Sequence, residues 1–439
     1  MYCAVRRKLT RLRASCFLNY LSSFSGPLYK KSSTNYLPTM SSGRLDTPQF
    51  KSLLTPDLLK IEELFRSEGY SLRLVGGAVR DLLLGRNAKD IDLATDCTPD
   101  GMIKLFEREG IRYIPTGLNH GTITVHTDRS NDYEITTLRI DHVTDGRHAL
   151  VQFTSDWVKD AERRDLTINS MSLGFDGKLY DYFDGQKHLA ERKLLFVGDA
   201  VSRIQEDYLR ILRYFRFYGR ICLLPNAHDP DTLTAIRDNA VGLTKISVER
   251  IWSEMSRILV GNHSPHLVSL MYELGVAANI GLPDDGNLSE LTKVWESMHG
   301  HYQLEPVCLL VSLLKSGEEV ERFSRQWKLS NLERKLGMFV SNEREACYQG
   351  APLKYYKDQL VDGEFRNHVL ELLKYCSRFS DSTVLEGWTV PVCPVNGNDL
   401  KKAGIASGQK LGETLKDIRR KWKESCYESS KEDLLATLK

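Results

Sequence analysis

Leu74-Val75-Gly76-Gly77-Ala78-Val79-Arg80-Asp81, with Asp90-Ile91-Asp92 thirteen residues beyond Gly77, is the stretch on which the reading of this chain turns. The apolar run Ser71–Val75 predicts a strand, Ala78–Leu84 a short helix, and Asp90–Thr95 a second strand. Residues i and i+2 of a strand share a face. Asp90 and Asp92 are therefore expected to project together, with Ile91 and Leu93 turned into a core. Two carboxylates on one face suit Mg²⁺, a hard cation commonly held by one or two carboxylates plus substrate phosphates. Glycines at a strand-to-helix turn let a backbone approach a phosphate closely. Arg80, one turn into the helix, reaches the same phosphates. Taken singly, the Gly-Gly pair is a tight turn and Asp-x-Asp a solvated strand end; their order, with an arginine between them, favours a phosphate and metal site.

Composition sets the frame around that site. The chain has 439 residues, 41% hydrophobic and 27% charged, which is ordinary for globular protein and long enough for roughly three units. No stretch reaches the ~20 apolar residues that span a bilayer. The formal charge of +2 hides an asymmetry. Residues 1–39 carry seven basic side chains and no Asp or Glu, so residues 40–439 have a net charge of −5. Nucleic-acid contact in the body must then come from local basic patches. The leader is basic, acid-free and rich in Ser and Tyr, which is the composition of a mitochondrial transit peptide. Met40 offers an internal start for a cytosolic or nuclear form; a merely disordered tail is the alternative. The nine cysteines are dispersed, with no Cys-x-x-Cys pair, which argues against a zinc module or disulfide framework.

Along the chain, Thr55-Pro56-Asp57 opens a helix to about Arg66, and Thr98-Pro99-Asp100 opens another to about Glu109. Short β-like runs follow at Arg112–Ile114, Gly121–Thr127 and Asp132–Leu138. Arg139–Leu150 is polar and reads as a mobile loop. From Trp157 the pattern turns helical, with β-like scraps at Leu173–Phe175 and Leu179–Phe183, and after about residue 186 helical periodicity dominates. The fold class expected is α+β: a small mixed α/β head followed by an elongated, mostly α-helical remainder.

Two more constellations carry chemistry. In Glu162-Arg163-Arg164-Asp165-Leu166-Thr167-Ile168-Asn169-Ser170, the bland reading is a charged helix start capped by Asp165 with solvated arginines. In Glu206-Asp207-Tyr208-Leu209-Arg210-Ile211-Leu212-Arg213-Tyr214-Phe215-Arg216, an acid and three arginines recur every three residues, forming a slowly turning stripe on one helix. A carboxylate beside a guanidinium offers acceptors and donors to a base edge, and further arginines take phosphate oxygens. An intrahelical ladder, Asp207 with Arg210, is the alternative. Glu134 stands either as a third acidic group near the metals or in a cross-strand salt bridge. His228-Asp229, beside Pro230 and without a ligand cluster, reads as loop.

The order GGAVRD…DID, RRDLTINSM, DYFDG at Asp181–Gly185 and EDYLRILRYFRF resembles the class II CCA-adding tRNA nucleotidyltransferases of the polymerase-β-like superfamily, which also holds bacterial poly(A) polymerases. The resemblance runs from about residue 60 to the C-terminus. Downstream, Ile246–Trp252, Gly261-Asn262-His263, Pro394–Gly397 and Gly404–Gly408 resemble the eukaryotic form. It implies that Asp90 and Asp92 are catalytic and bind two Mg²⁺ ions, and that Gly77 and Arg80 contact the triphosphate. It further implies that Asp207 and Arg210 read CTP or ATP, that Arg164 and Asp165 bind and select the nucleotide, and that Arg213 and Arg216 contact it further. Arg139–Leu150 then resembles the loop involved in switching from C to A. Lys416, Arg419, Arg420, Lys421 and Lys423 are a local basic candidate for the tRNA elbow, an exposed charged helix being the alternative. Where the eukaryotic pattern has acids, this chain has Leu150 and Gln152, which puts loop details in doubt.

The organisation implied is a leader (1–40), a nucleotidyltransferase head or palm (50–185), a neck (186–260), a body (261–345) and a tail (346–439). Expected partners are the tRNA acceptor arm and elbow, with CTP and ATP as substrates and no membrane, in a monomer or homodimer. Expected localisation is mitochondrial, with the second form from Met40. The rivals are a poly(A) polymerase of the same superfamily and a catalytically idle RNA-binding relative, which predicts a broken metal pair.

Overall fold

Strong caps and apolar faces account for the first elements. The structure, a computed structural model, describes residues 43–88, 90–127, 132–144 and 149–438, so the leader and Met40 lie outside the described residues. Thr55 caps the helix Pro56–Ser67, with Pro at its start and Leu58, Ile61 and Phe65 buried. Thr98 does the same for Pro99–Arg108, which buries Met102, Leu105 and Phe106. The rings of Phe65 and Phe106 meet edge-on, 6.0 Å apart.

The described residues form nine strands: β1 (Leu72–Val75), β2 (Asp92–Thr95), β3 (Tyr113–Gly117), β4 (Thr122–His126), β5 (Asp132–Thr137), β6 (Arg139–Thr144), β7 (Ala149–Phe153), β8 (Ser172–Leu173) and β9 (Leu179–Tyr180). Seven make one sheet in the order β3-β4-β5-β2-β1-β8-β9. Its pairs are antiparallel except β2 with β5, whose parallel register sets Asp92 beside Glu134 and Leu93 beside Ile135. Alternation sorts the faces: Leu74, Leu93, Ile123, Val125 and Ile135 are fully buried, while Asp92 and Glu134 stay exposed. At the edge, Arg44 bridges Lys178, which ties the chain before residue 50 to the head.

Three local expectations need correction. The second strand begins at Asp92, not Asp90; Asp90 sits in the bend before it, and Ile91 is only half-buried. The segment Arg139–Leu150, expected as a loop, contains β6 and the first two residues of β7, a separate antiparallel ribbon in which Arg139 faces Phe153 and Asp141 faces Val151. Its polar composition hid a two-stranded ribbon that needs no buried face. Asp207 is not on the arginine helix: it lies between Ala200–Glu206 and Leu209–Ile221, with φ −152° and ψ 102°. Its carboxylate accepts from the Leu209 N–H at 3.1 Å, the competition between side chain and helix that short Asp side chains offer.

Beyond β9 the described residues form helices and 3₁₀ turns. The arginine helix Leu209–Ile221 buries Leu212, Phe215 and Phe217 and packs on Val248–Leu259, which buries Ile251, Met255, Ile258 and Leu259. Gly219 lets the turn after that helix come close: a Cβ there would stand 2.5 Å from the Asn262 carbonyl oxygen. His228, expected as loop, stacks on Tyr218 with centroids 3.7 Å apart and shares a 2.9 Å hydrogen bond with the Tyr214 hydroxyl, while Asp229 caps Pro230–Asn239. Val395, Leu400, Ile418, Trp422 and Leu434 form a C-terminal core. No helix of the described residues is long and apolar enough to cross a membrane.

Leu93 places Asp92 by filling the core beneath it. Leu93→Ala is expected to cost about 2–5 kcal/mol in urea unfolding. Leu332→Ala, at a residue 74% exposed, is expected to cost under about 0.5 kcal/mol.

Candidate active site

Gly76 turns the chain from β1 into the helix Gly77–Leu83 at φ +63° and ψ −124°, a region that effectively requires glycine. A Cβ there would also lie 3.3 Å from the Arg164 Nη1. Arg164 thus reaches over the glycine turn. Arg80, 3% exposed, donates from Nη1 to the Asn169 Oδ1 at 2.6 Å and from Nε to the Asp81 Oδ1 at 3.1 Å. The other Asp81 oxygen takes the Arg220 Nη2 at 2.7 Å, joining the glycine helix to the arginine helix.

Asp92, Asp90 and Glu134 gather negative charge on the other wall. Enclosure and the Glu134 carboxylate, with Asp90 adding, hold the Asp92 carboxyl above its usual range against the pull of Arg164. Among the described residues, none of the three has an ion-pair partner, so the cross-strand salt bridge considered for Glu134 does not form. Nor do any three His, Cys, Asp or Glu side chains among them make a metal cage. The protein offers a pair of hard carboxylate donors with room for substrate oxygens, and that donor set fits Mg²⁺.

The arginines are held from behind. Asp160, 3% exposed, accepts from the Arg163 Nη2 at 2.7 Å and Nε at 2.9 Å, from the Arg164 Nη2 at 3.0 Å, and from the Arg139 N–H at 3.3 Å. Burial works to raise its pKa, but Arg164 and Arg163 outweigh this and hold it below the usual carboxylate range. Asp165 is no solvated cap. It is 7% exposed and accepts from the Arg213 Nε at 2.6 Å, the Leu166 N–H at 2.8 Å and the Asn169 Nδ2 at 3.3 Å. Arg213 overrides burial there too, and the pKa is lowered.

The alternative considered for this stretch, an Asp207–Arg210 ladder, does not form. Arg210 pairs with the Glu206 Oε2 at 2.7 Å and donates to the main-chain carbonyls of Arg203 and Arg163. Asp207 instead takes the Arg250 Nη2 at 2.6 Å. Arg216 meets the Glu254 Oε1 at 2.9 Å.

These groups line one cleft of about 880 Å³. All ten residues singled out from sequence lie on it: Gly77, Arg80, Asp90, Asp92, Arg164, Asp165, Asp207, Arg210, Arg213 and Arg216. A second groove of about 800 Å³ shares Asp90 and Asp92 and adds Asp132 and Glu134; among the described residues no arginine or lysine lines it. Sequence reasoning missed Arg220, Arg250, Arg257 and Asp160. Arg220 continues the spacing of Arg213 and Arg216 by one more turn, and Asp160 precedes Arg163 and Arg164 by three and four residues; both were legible signals. The tail candidates are largely committed, Arg420 and Lys421 to Asp417 and Lys423 to Asp362.

With this geometry, comparison with known proteins is informative. The family model described as the poly A polymerase head domain matches residues 72–195, and one described as a probable RNA and SrmB-binding site of polymerase A matches residues 228–283. The solved structure of the Bacillus stearothermophilus CCA-adding enzyme in complex with CTP matches with a TM-score of 0.71 and 27% identity, over 90% of this chain and 97% of that one. The head and its cleft are those of a nucleotidyltransferase, so the chain is an enzyme of that class. The CCA tRNA nucleotidyltransferase 1, mitochondrial, of Homo sapiens is 49% identical over 412 residues, 92% of this chain and 94% of its own length. That of Danio rerio is 48% identical over 403 residues. This chain belongs to the CCA-adding tRNA nucleotidyltransferase family.

Asp160→Asn keeps the shape but removes the charge that holds Arg163 and Arg164. Urea unfolding at pH 7 is expected to show a loss of about 1.5–3 kcal/mol, because two half-buried cations lose the carboxylate beneath them while Arg163 keeps Asp141 at 3.6 Å. A carboxylate whose folded pKa is depressed contributes stability above its unfolded value, near 3.9, and loses it as pH falls through the folded one. The gap between the two proteins should therefore narrow below about pH 4.

Proposed function

We propose that this enzyme adds C, C and A to the 3′ end of tRNA from CTP and ATP without a nucleic-acid template. One observation carries the reading: a carboxylate pair (Asp90, Asp92) and an aspartate–arginine pair able to meet a base edge (Asp207, Arg210) line one cleft. Identity to relatives named for CCA addition supports it.

In this reading Gly77 and Arg80 cradle the triphosphate, Arg164 and Asp165 hold and select the nucleotide, and Arg213 and Arg216 add contacts. Asp90 and Asp92 would hold the magnesium, two ions here, whose chemistry is to activate a hydroxyl and neutralise phosphate charge. The 3′-hydroxyl oxygen of the RNA bonds to the α-phosphorus, the bond to pyrophosphate breaks, and the hydroxyl proton is released. Asp207, steadied by Arg250 and the Leu209 N–H, presents acceptors, and Arg210, steadied by Glu206, presents donors. A site built to pair polar edges leaves groups unpaired with the wrong base, which disfavours G and U.

The helical remainder divides, in this reading, into neck (186–260), body (261–345) and tail (346–439), the last holding the tRNA elbow with Lys416 and Arg419 as its uncommitted cations. RNA contact is through backbone and shape, as for an A-form duplex. The leader directs the chain to mitochondria, in line with the names of the relatives, and Met40 starts the second form.

The head-domain match to poly A polymerase keeps one second reading in play. Purified residues 40–439 with Mg²⁺ and a tRNA lacking its last three nucleotides separate the two. Two additions from CTP alone and one further A with ATP are expected; a long ladder of A from ATP alone would establish the polymerase. In the same assay Asp92→Ala should lower the rate at least ~10³-fold with tRNA binding retained, and Arg210→Ala should admit wrong nucleotides. Import into isolated mitochondria is expected for the full chain and not for residues 40–439; equal import would refute the leader's role.

A further inference from the structure

The arginines of the cleft are matched to carboxylates with one exception. Among the described residues ten arginines line it. Nine are ion-paired: Arg80 and Arg220 with Asp81, Arg139 with Asp141, Arg163 and Arg164 with Asp160, Arg210 with Glu206, Arg213 with Asp165, Arg216 with Glu254 and Arg250 with Asp207. Arg257 is the tenth, and among the described residues it has no carboxylate. Its natural partner is Glu254, three residues back on Val248–Leu259 and within reach of an i,i+3 pair. Glu254 is 4% exposed and turned to Arg216 on the neighbouring helix instead. Arg257 is exposed at the cleft.

We propose that Arg257 takes a backbone phosphate of the RNA substrate, a contact separate from the triphosphate seat at Gly77 and Arg80. The assignment rests on the tRNA-extending reading above. Three observations favour an RNA phosphate over the nucleotide's own. Arg257 lies within residues 228–283, the stretch matched by the RNA-binding family model, whereas the glycine turn and Asp90–Asp92 lie in the head match. It is open to solvent, where a long polymer can reach it, while Arg80 is sealed at 3% exposure. It also stands among like charges. Burial brings the Arg216 guanidinium down to about 10, with Arg213 and Arg257 adding to the effect against Glu254. An incoming anion relieves that crowding where no side chain does. Phosphate contacts of this kind position RNA without reading its sequence.

The test uses the full chain and a tRNA lacking its last three nucleotides, with binding followed by fluorescence anisotropy from 50 to 200 mM KCl. For Arg257→Ala the slope of log K against log salt should fall by about one, and affinity should drop several-fold and equally for tRNAs of different sequence. The KM for CTP and ATP at saturating tRNA should stay unchanged, and Arg257→Lys should restore most of the slope. An unchanged slope and affinity would overturn the proposal. So would a raised KM for CTP with tRNA binding unmoved, which would hand Arg257 to the nucleotide. Wild-type protein that binds tRNA with the expected slope but fails to extend it would sink the proposed function and leave the phosphate contact standing.

Discussion

Guanidinium groups crowded into one cleft repel each other, and burying any of them unpaired is costly. The architecture around the site follows from that constraint. Asp160 faces two arginines from below, Asp165 binds Arg213, Asp207 binds Arg250 and Glu254 binds Arg216. The last three pairs join segments distant in the chain, so neutralising those arginines and closing the cleft are one event. Asp81 does this most directly: it serves Arg80 on the glycine helix and Arg220 on the arginine helix. Electrostatic repulsion is thereby converted into alignment.

The opposite wall works by accumulation. Parallel pairing of β2 with β5 brings Asp92 beside Glu134, and the bend before β2 adds Asp90. Like charges placed together on these central strands, without counter-ions among the described residues, make the site receptive to a divalent cation. The cleft thus has a basic wall, cross-linked and rigid, and an acidic wall left open. A nucleotide with its cations bridges the two. The second groove reaches the same aspartates from an acidic side that Asp132 and Glu134 also line, opposite in charge to the arginine-lined cleft.

Much of this was legible in the sequence because it depends on short-range geometry. Caps such as Thr55-Pro56 and Thr98-Pro99 mark helix starts within a residue, and the alternation of Thr122–His126 marks a strand. The Arg139–Leu150 segment misled because its polar composition resembles a loop, and its pairing with residues up to Phe153 leaves no local periodic signal. Asp207 misled because a three-residue spacing fits a helix that the Asp207 side chain itself interrupts.

By itself the sequence determined most of the element types, which rest on local periodicity, and its resemblance to the CCA-adding family pointed to the ten residues that one cleft brings together. Which carboxylate holds which arginine was decided only by tertiary structure. Arg210 had an equally plausible partner in Asp207 until the helix broke between them, and Arg250, forty residues further on, had no spacing rule to connect it. Pairing across helices depends on packing angle and on the close approach that Gly219 permits, and neither is encoded in the separation of residues along the chain.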